Sequence, residues 1–351
     1  MLRMRIARAP LAESENRVIL DEYNRLARGH IPMEEFVHWV RDNPSGEAWH
    51  AILETCDGKI VGHTSVFPLR TSFAGGAITP AKSEYSYLQE GFRKEKVEGF
   101  ETAGKPAFII LLDELFKHCY QQGWGPIFAS TNEKNQVFTR KVGLRPVEFP
   151  LWECLFILRP IGASRLTPNI SIWHRVGLFS AGIVQRGGWS LAAPLFSSRN
   201  GVHNVPVGKC DLPAERTRLS FFDDSESLNW RYLAGQYVRY EADSAAGDHL
   251  IAKRGSPDRF LRVCQWRTAD KRSTSRMLIT LFQQAGTDRA LGVRWAIYDG
   301  EHGSEKLVRH LRKMGFLCAR RTRIVMVHKH EETYLDSAIW RMNDSLFSFD
   351  P

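Results

Sequence analysis

Apolar positions recur at helical spacing twice near the start of the chain. Val18, Ile19, Tyr23 and Leu26 fall on one side of Glu13 to Arg28, and Phe36, Val37 and Val40 on one side of Met33 to Asp42, which predicts two helices. The pattern then becomes β-rich. Trp49 to Cys56 and Lys59 to Leu69 flank Asp57-Gly58, a hairpin signal because both turn residues tolerate positive φ. Gly75-Gly76 predicts another turn, and Ala81 to Glu90 alternates as the next strand. After Gly104-Lys105-Pro106, a stripe of Phe108, Leu111, Leu112, Leu115, Phe116 and Cys119 opposes Asp113, Glu114, Lys117 and Gln121; this predicts a helix that stops at Gly123. Pro126 to Ser130 reads as a short strand, Asn135 to Val142 as a helix stopped by Gly143, and Leu144 to Leu158 as a last strand pair.

Much of this order returns in the second half. Strands are expected at His249 to Arg254 and Phe260 to Arg267, a helix at Ser273 to Ala285, a strand at Gly292 to Tyr298, a helix at Gly303 to Met314 and a strand at Ala319 to His328. R-K-V-G-L at 140–144 and R-K-M-G-F at 312–316 hold the same place, a helix end entering a strand, which predicts internal duplication. The expected fold class is α/β: two similar domains, each a mixed, mostly antiparallel sheet flanked by helices. Their bounds are 1–159 and 215–330, with a linker over 160–214 that carries an amphipathic stretch, and a tail over 331–351.

Composition supports a globular chain in two domains. At 351 residues it exceeds the size at which one core usually stops growing, and 43% hydrophobic with 25% charged residues excludes disordered and fibrous classes. The six cysteines lie far apart with no CxxC pair, so reduced, buried thiols are expected, along with a cytoplasmic setting and no metal. The most apolar stretch, Val176 to Phe196, is interrupted by Gln185, Arg186 and Gly187-Gly188 and reads as surface-lying rather than membrane-spanning. Charge is uneven: 20 basic and 20 acidic residues over 1–159, 5 and 1 over 160–214, and 23 and 18 over 215–351. The surplus is either solvated surface or the footprint of an anionic partner, nucleic acid included.

Three segments of the first half, Asp57-Gly58-Lys59-Ile60-Val61-Gly62, E-T-A-G-K-P-A at 101–107 and N-E-K-N-Q-V-F-T-R-K-V-G-L at 132–144, fall in the order and spacing of one family. On them the chain resembles the GCN5-related N-acetyltransferase superfamily, in a duplicated form similar to members associated with polysaccharide assembly, where L-N-W-R-Y at 228–232 followed by Tyr240 recurs. The resemblance implies acetyl-coenzyme A or another acyl-coenzyme A as donor, with pyrophosphate held by backbone N–H groups at a helix start, the general anion site of a helix N-terminus. The matching positions are Gly104, Lys105, Pro106 and Ala107, with Tyr87, Leu88, Asn132 and Phe138 along the rest of the coenzyme. Three positions depart from the family. Glu101 stands for a Gln or Arg, Pro106 for a Gly or Ala, which removes a donor, and Thr139 for the tyrosine that protonates the leaving thiolate.

Acyl transfer to an amine needs a base for the ammonium proton and an acid for the thiolate. The resemblance puts Glu84 in the place of the base, against the alternative of a solvent-facing strand glutamate; Tyr85 is a catalytic hydroxyl or pocket wall. Asn132 is a ligand to the pantetheine arm or a helix cap. Trp230, Arg231 and Tyr232 suit recognition of a sugar, nucleotide or carboxylate, or anchor one domain on the other. His63, His118 and Cys119 are read as packing. The expected activity is direct acyl transfer to a small-molecule amine such as an amino sugar or sugar nucleotide. The rival readings are an inactive, nucleic-acid-binding or interaction module, and a transferase whose donor is a carrier protein or an aminoacyl-tRNA.

Overall fold

The computed structural model describes residues 1–27, 31–69, 71–73, 76–102, 104–130, 139–161, 180–187, 202–205, 221, 225–232, 236–242, 248–255, 259–267, 271–299, 303–328, 332–337 and 340. Strand β1 (Arg3–Arg8), at one edge of the sheet, precedes helices α1 (Glu13–Ala27) and α2 (Met33–Arg41). There follow β2 (Trp49–Glu54), β3 (Ile60–Pro68), a small hairpin of β4 (Thr71–Phe73) and β5 (Gly76–Ile78), β6 (Ala81–Leu88), α3 (Ala107–Gln121), β7 (Ile127–Ser130) and β8 (Leu144–Ile157). The second half supplies β9 (Val202–Val205), α4 (Ser225–Arg231), β10 (Tyr237–Ala242), β11 (His249–Lys253), β12 (Leu261–Arg267), α5 (Lys271–Thr287), β13 (Gly292–Tyr298), α6 (Ser304–Lys313) and β14 (Leu317–His328).

Twelve strands form one continuous sheet in the order β1-β2-β3-β6-β7-β14-β8-β13-β12-β11-β10-β9. Each half contributes six strands in matching order, but the final strands are exchanged: β14 pairs with β7 of the first half, and β8 pairs with β13 of the second. The expected strand pair at 144–158 is therefore a single strand, β8, running antiparallel to β14 from Leu144–His328 to Leu155–Leu317. Pro146 and Pro150 interrupt its sequence pattern without breaking it. A half-turn about the Pro150–Thr322 pair exchanges β8 and β14 and carries each β8 residue onto the β14 residue 172 positions later, the same separation as the two R-K-x-G repeats.

Three cores sit on the two faces. On one face, the α3 stripe (Ile110, Leu111, Leu115) packs on Ala51, Leu53 and Val61, and α5 with α6 packs on Val263, Val293 and Trp295. Each fully buried aliphatic side chain there stabilises the fold by about 1.5–3 kcal/mol. The other face carries α1, α2 and α4 over Ile52, Phe67, Tyr85, Phe128, Phe149 and Val325. Gly292 starts β13 where a Cβ would lie 1.9 Å from the Phe156 carbonyl oxygen, so no larger residue fits against β8.

Cys154 and Cys318, opposed across β8 and β14, are joined as a disulfide, which corrects the expectation of reduced thiols for this pair. Cys119 and Cys264 are buried free thiols and Cys56 is exposed. Gln185, within a helical segment at 180–187, accepts from the Ile157 N–H (2.8 Å) and donates to the Gly315 carbonyl (2.7 Å), so the polar break in the apolar stretch is a tether to the sheet. No described helix is long and apolar enough to cross a membrane.

Candidate active site

The site grows from a mismatch between neighbouring strands. Parallel strands β6 and β7 pair only through Ala81–Ile127 and Lys82–Phe128, and beyond that point they part. On its other side β6 stays paired to β3, but His63 faces Tyr87 and Ser65 faces Glu84, leaving Thr64 opposite both Tyr85 and Ser86. That is a β-bulge, and Tyr85 takes it up with φ of 54°, an uncommon conformation for a bulky residue. The strain sits beside the opening.

Tyr85 points into the α1/α2 face, edge-on to Phe36 at 4.9 Å and Tyr23 at 5.2 Å. Its hydroxyl is buried, with no hydrogen-bond partner among the described residues. Burial, then the negative charges of Glu84 and Glu35 around it, hold its pKa well above the ordinary tyrosine value, so it stays a proton donor. Glu84 is buried rather than facing solvent, and forms an ion pair with buried Lys82 two residues away on the same side of β6. Tyr87 is also buried, its hydroxyl unpartnered among the described residues and its pKa raised by burial. Leu88 closes the strand over Gly62, where an added Cβ would sit 3.0 Å from it.

Two histidines, read from sequence as packing, hold the bulge. His63 Nδ1 lies 2.9 Å from the Tyr85 carbonyl oxygen, and His63 Nε2 lies 3.0 Å from His50 Nδ1. A carbonyl only accepts, so His63 carries its proton on Nδ1 and His50 donates to His63 Nε2. Both rings are fully buried; burial pushes the His63 pKa down to about 4 and that of His50 well below its usual value. The Asp57-Gly58 hairpin register, which sets His50 and His63 on adjacent strands, was the sequence signal for this pair.

The entry to α3 is a turn built on Gly104 (φ 62°) with open space around it. Pro106 caps the helix without a side-chain hydrogen bond, and Ala107 opens its first turn. Lys105 reaches back to Asp113 at 2.8 Å, while exposed Glu101 accepts from the Gly99 N–H at 3.0 Å and is held ionised by such backbone donors. Thr139, half-buried, lies in a helical turn just before β8; Asn132 and Phe138 fall outside the described residues. Cys119 is pushed up to about 12 by burial, which suits packing rather than nucleophilic chemistry.

Trp230, Arg231 and Tyr232 are all buried at the seam between the halves. Trp230 exchanges hydrogen bonds with His38 of α2: its carbonyl accepts from His38 Nε2 at 2.8 Å, and its indole N–H donates to the His38 carbonyl at 3.3 Å. The Arg231 guanidinium lies over Trp39, Tyr232 and Tyr237 and donates to the Tyr237 hydroxyl at 3.2 Å. Tyr232 donates to Gln265 at 2.8 Å. These contacts anchor α4 to α2 and β12, and they bring the Arg231 charge within electrostatic reach of Tyr85.

The second half repeats the parallel pairing and carries it one residue further. Strands β12 and β13 pair through Leu261–Val293, Arg262–Arg294 and Val263–Trp295, and the bulge falls at Cys264. Trp295, fully buried, occupies the position that Ala129 holds in the first half. Between β6 and β7 the pairing stops at Lys82–Phe128, one residue pair earlier than its counterpart.

Solved structures with this architecture share little sequence with the chain. A probable N-acyltransferase of Enterococcus faecalis V583 matches with TM-score 0.57 at 10% identity, over 92% of this chain and 72% of its own. A GCN5-related N-acetyltransferase of Kribbella flavida matches with TM-score 0.53 at 11% identity, over 92% and 71%. The N-myristoyltransferase of Saccharomyces cerevisiae, solved with bound myristoyl-CoA, matches with TM-score 0.56 at 9% identity, over 93% and 82%. No family model matches the chain, and no curated protein matches it in sequence.

Proposed function

We propose that this chain, which has the fold of the GCN5-related N-acetyltransferases in a two-domain form, transfers an acyl group from acyl-coenzyme A directly to an amine. The observation that carries the reading is the parting of β6 and β7 beside a strained bulge that sets Glu84 and Tyr85 side by side. The acyl-pantetheine arm would enter between β6 and β7, lined by Tyr87 and Leu88, with its diphosphate at the uncapped start of α3, near Gly104, Lys105 and Ala107.

The chemistry divides between neighbouring side chains. The amine nitrogen attacks the thioester carbonyl, the C–N bond forms and the C–S bond breaks. Glu84, ion-paired with Lys82, takes the ammonium proton. Water protonates the departing thiolate, the step that Thr139 performs poorly; Tyr85, kept neutral by burial, lines the site beside Glu84. Neighbouring His63 positions the bulge and touches no reacting atom. The acceptor carried forward is a small-molecule amine, an amino sugar or sugar nucleotide being the class the sequence points to.

Calorimetry with coenzyme A tests the reading. Saturable binding, lost in Gly104→Glu because that substitution sets a carboxylate and a strained φ at the loop, is the expected result. A folded wild-type protein that takes up no coenzyme A at millimolar ligand would overturn it and favour the binding-module reading.

A further inference from the structure

The helix at 180–187 turns the usual pattern of a surface helix inside out. A helix on a globular protein sets its apolar stripe against the core and its polar residues toward solvent. Here the side against the sheet is Gly182 and Gln185. A Cβ on Gly182 would lie 2.7 Å from Pro160 and 2.9 Å from Ile157, so the backbone itself rests on the end of β8. Gln185 completes the contact through the Ile157 N–H and the Gly315 carbonyl. At about 100° per residue the opposite side carries Ile183 and Val184, with Arg186 on the flank. Both apolar residues are exposed, Val184 to 74%.

The exposure is concentrated. Of the seven large hydrophobic residues exposed among the described residues, four lie at this end of the sheet: Ile183, Val184, Ile161 beside Pro160, and Leu317, which opens β14 two residues after Gly315. The half-turn about Pro150–Thr322 carries Leu317 onto Arg145 of β8. Both positions are exposed, and only Leu317 is apolar. A single exposed leucine is ordinary, whereas four bulky aliphatic residues gathered at one end mark a contact surface.

The charge around them has one sign. The three segments that meet here, 154–161, 180–187 and 312–319, hold Arg159, Arg186, Arg312 and Lys313 and no acidic residue. Arg159, Arg186 and Lys313 are exposed and have no ion-pair partner among the described residues, while Arg312 lies over the Trp152 ring at 4.5 Å. Asp288, in the segment whose Leu291 carbonyl accepts from the Arg159 N–H at 3.0 Å, is matched by Arg254 at 2.8 Å. A second copy set face to face would bring cations against cations, which opposes a symmetric dimer here. The patch also lacks the aromatic anchors that protein interfaces favour. Aliphatic side chains rimmed by cations suit a lipid surface: the former enter the acyl boundary and the latter meet phosphate oxygens. We propose that this end of the molecule, the outer side of the 180–187 helix with Leu317 and Ile161, docks on an anionic phospholipid bilayer. The contact is peripheral, and it does not depend on the acyl-transfer reading.

Vesicle flotation with the full chain tests it, using phosphatidylcholine vesicles with and without phosphatidylglycerol. At low salt the chain should bind the anionic vesicles at least tenfold more tightly than the neutral ones, and added salt should weaken that binding. Val184→Glu should weaken it at least tenfold with an unchanged melting profile, since this side chain meets solvent rather than core. Val18→Glu, at an exposed valine of α1, should have no effect. Arg186→Glu should weaken binding several-fold on anionic vesicles. Absence of flotation at millimolar lipid, equal binding to both kinds of vesicle, or equal loss in Val184→Glu and Val18→Glu would each overturn the proposal. So would self-association without lipid that Val184→Glu abolishes, because it would make a second copy the occupant.

Discussion

Ala129 and Trp295 occupy the same place in the two halves of the sheet, directly after the last shared pairing of two parallel strands. In the first half the pairing stops before Ala129, beside a bulge that strains Tyr85; in the second it runs on through Val263–Trp295, and the indole packs against Trp266 at 5.9 Å. Across the axis the exchange runs the other way. The first half seals its centre with Phe128, Phe149 and Val325, and the second sets arginines and one glutamate there. One backbone plan therefore carries parted strands on one side and a charged cavity on the other. The backbone pairing sets where a site can be, and a few side-chain volumes and charges set whether it is one.

The comparison can be broken most severely at Phe149. Replacing it by Arg, the residue its counterpart Arg321 already is, puts an unpaired charge into apolar core and should cost about 3–5 kcal/mol in denaturant unfolding. An effect under 1 kcal/mol would mean that the two centres do not differ as described. Next in size is a pH effect confined to the first half, whose bulge is held by His63, whereas in the second half Gln265 beside the bulge is held by Tyr232. Burial lowers the His63 pKa to about 4 from 6.5, so the unfolded chain takes up a proton before the native one does. Stability should be full above pH 6.5 and fall by on the order of 3 kcal/mol as pH drops toward 4. A His63→Asn variant should show a flatter profile over that window; an unchanged slope would remove the histidine from the account.

A third test makes the first cleft resemble the second. Ala129→Trp should reduce coenzyme A affinity by at least about 50-fold, in line with a filled binding channel. The smallest effect is expected at Arg321→Phe. This side chain is largely exposed, so stability should change by less than about 1 kcal/mol.

Sequence reading reached the local features and stopped at the long-range ones. The α3 stripe, the Asp57-Gly58 hairpin and the R-K-x-G repeat were legible because each depends on neighbours within a few residues. The exchange of β8 and β14 was not, since strand pairing between residues 144 and 328 leaves no period in either segment. The segment at 144–158 therefore read as a strand pair, where the structure has one long strand. The positive φ of Tyr85 was hidden for the same reason: the bulge follows from the register of β3 on β6, and tyrosine is not a residue that announces such a conformation. Glu84 was singled out by resemblance and Tyr85 by its place on the same strand, the His50–His63 support was read only as packing, and the arginines of β12, β13 and β14 showed only as a basic surplus until the fold brought those strands together.

The central claim is that the first half alone retains the acyl-donor cleft. A crystal structure with coenzyme A tests it most directly. The account predicts the thiol end between β6 and β7 beyond the Lys82–Phe128 pair, near Glu84 and Tyr85, with the diphosphate at Ala107. Coenzyme A seated in the arginine cavity, or against Trp295 in the second half, would contradict it.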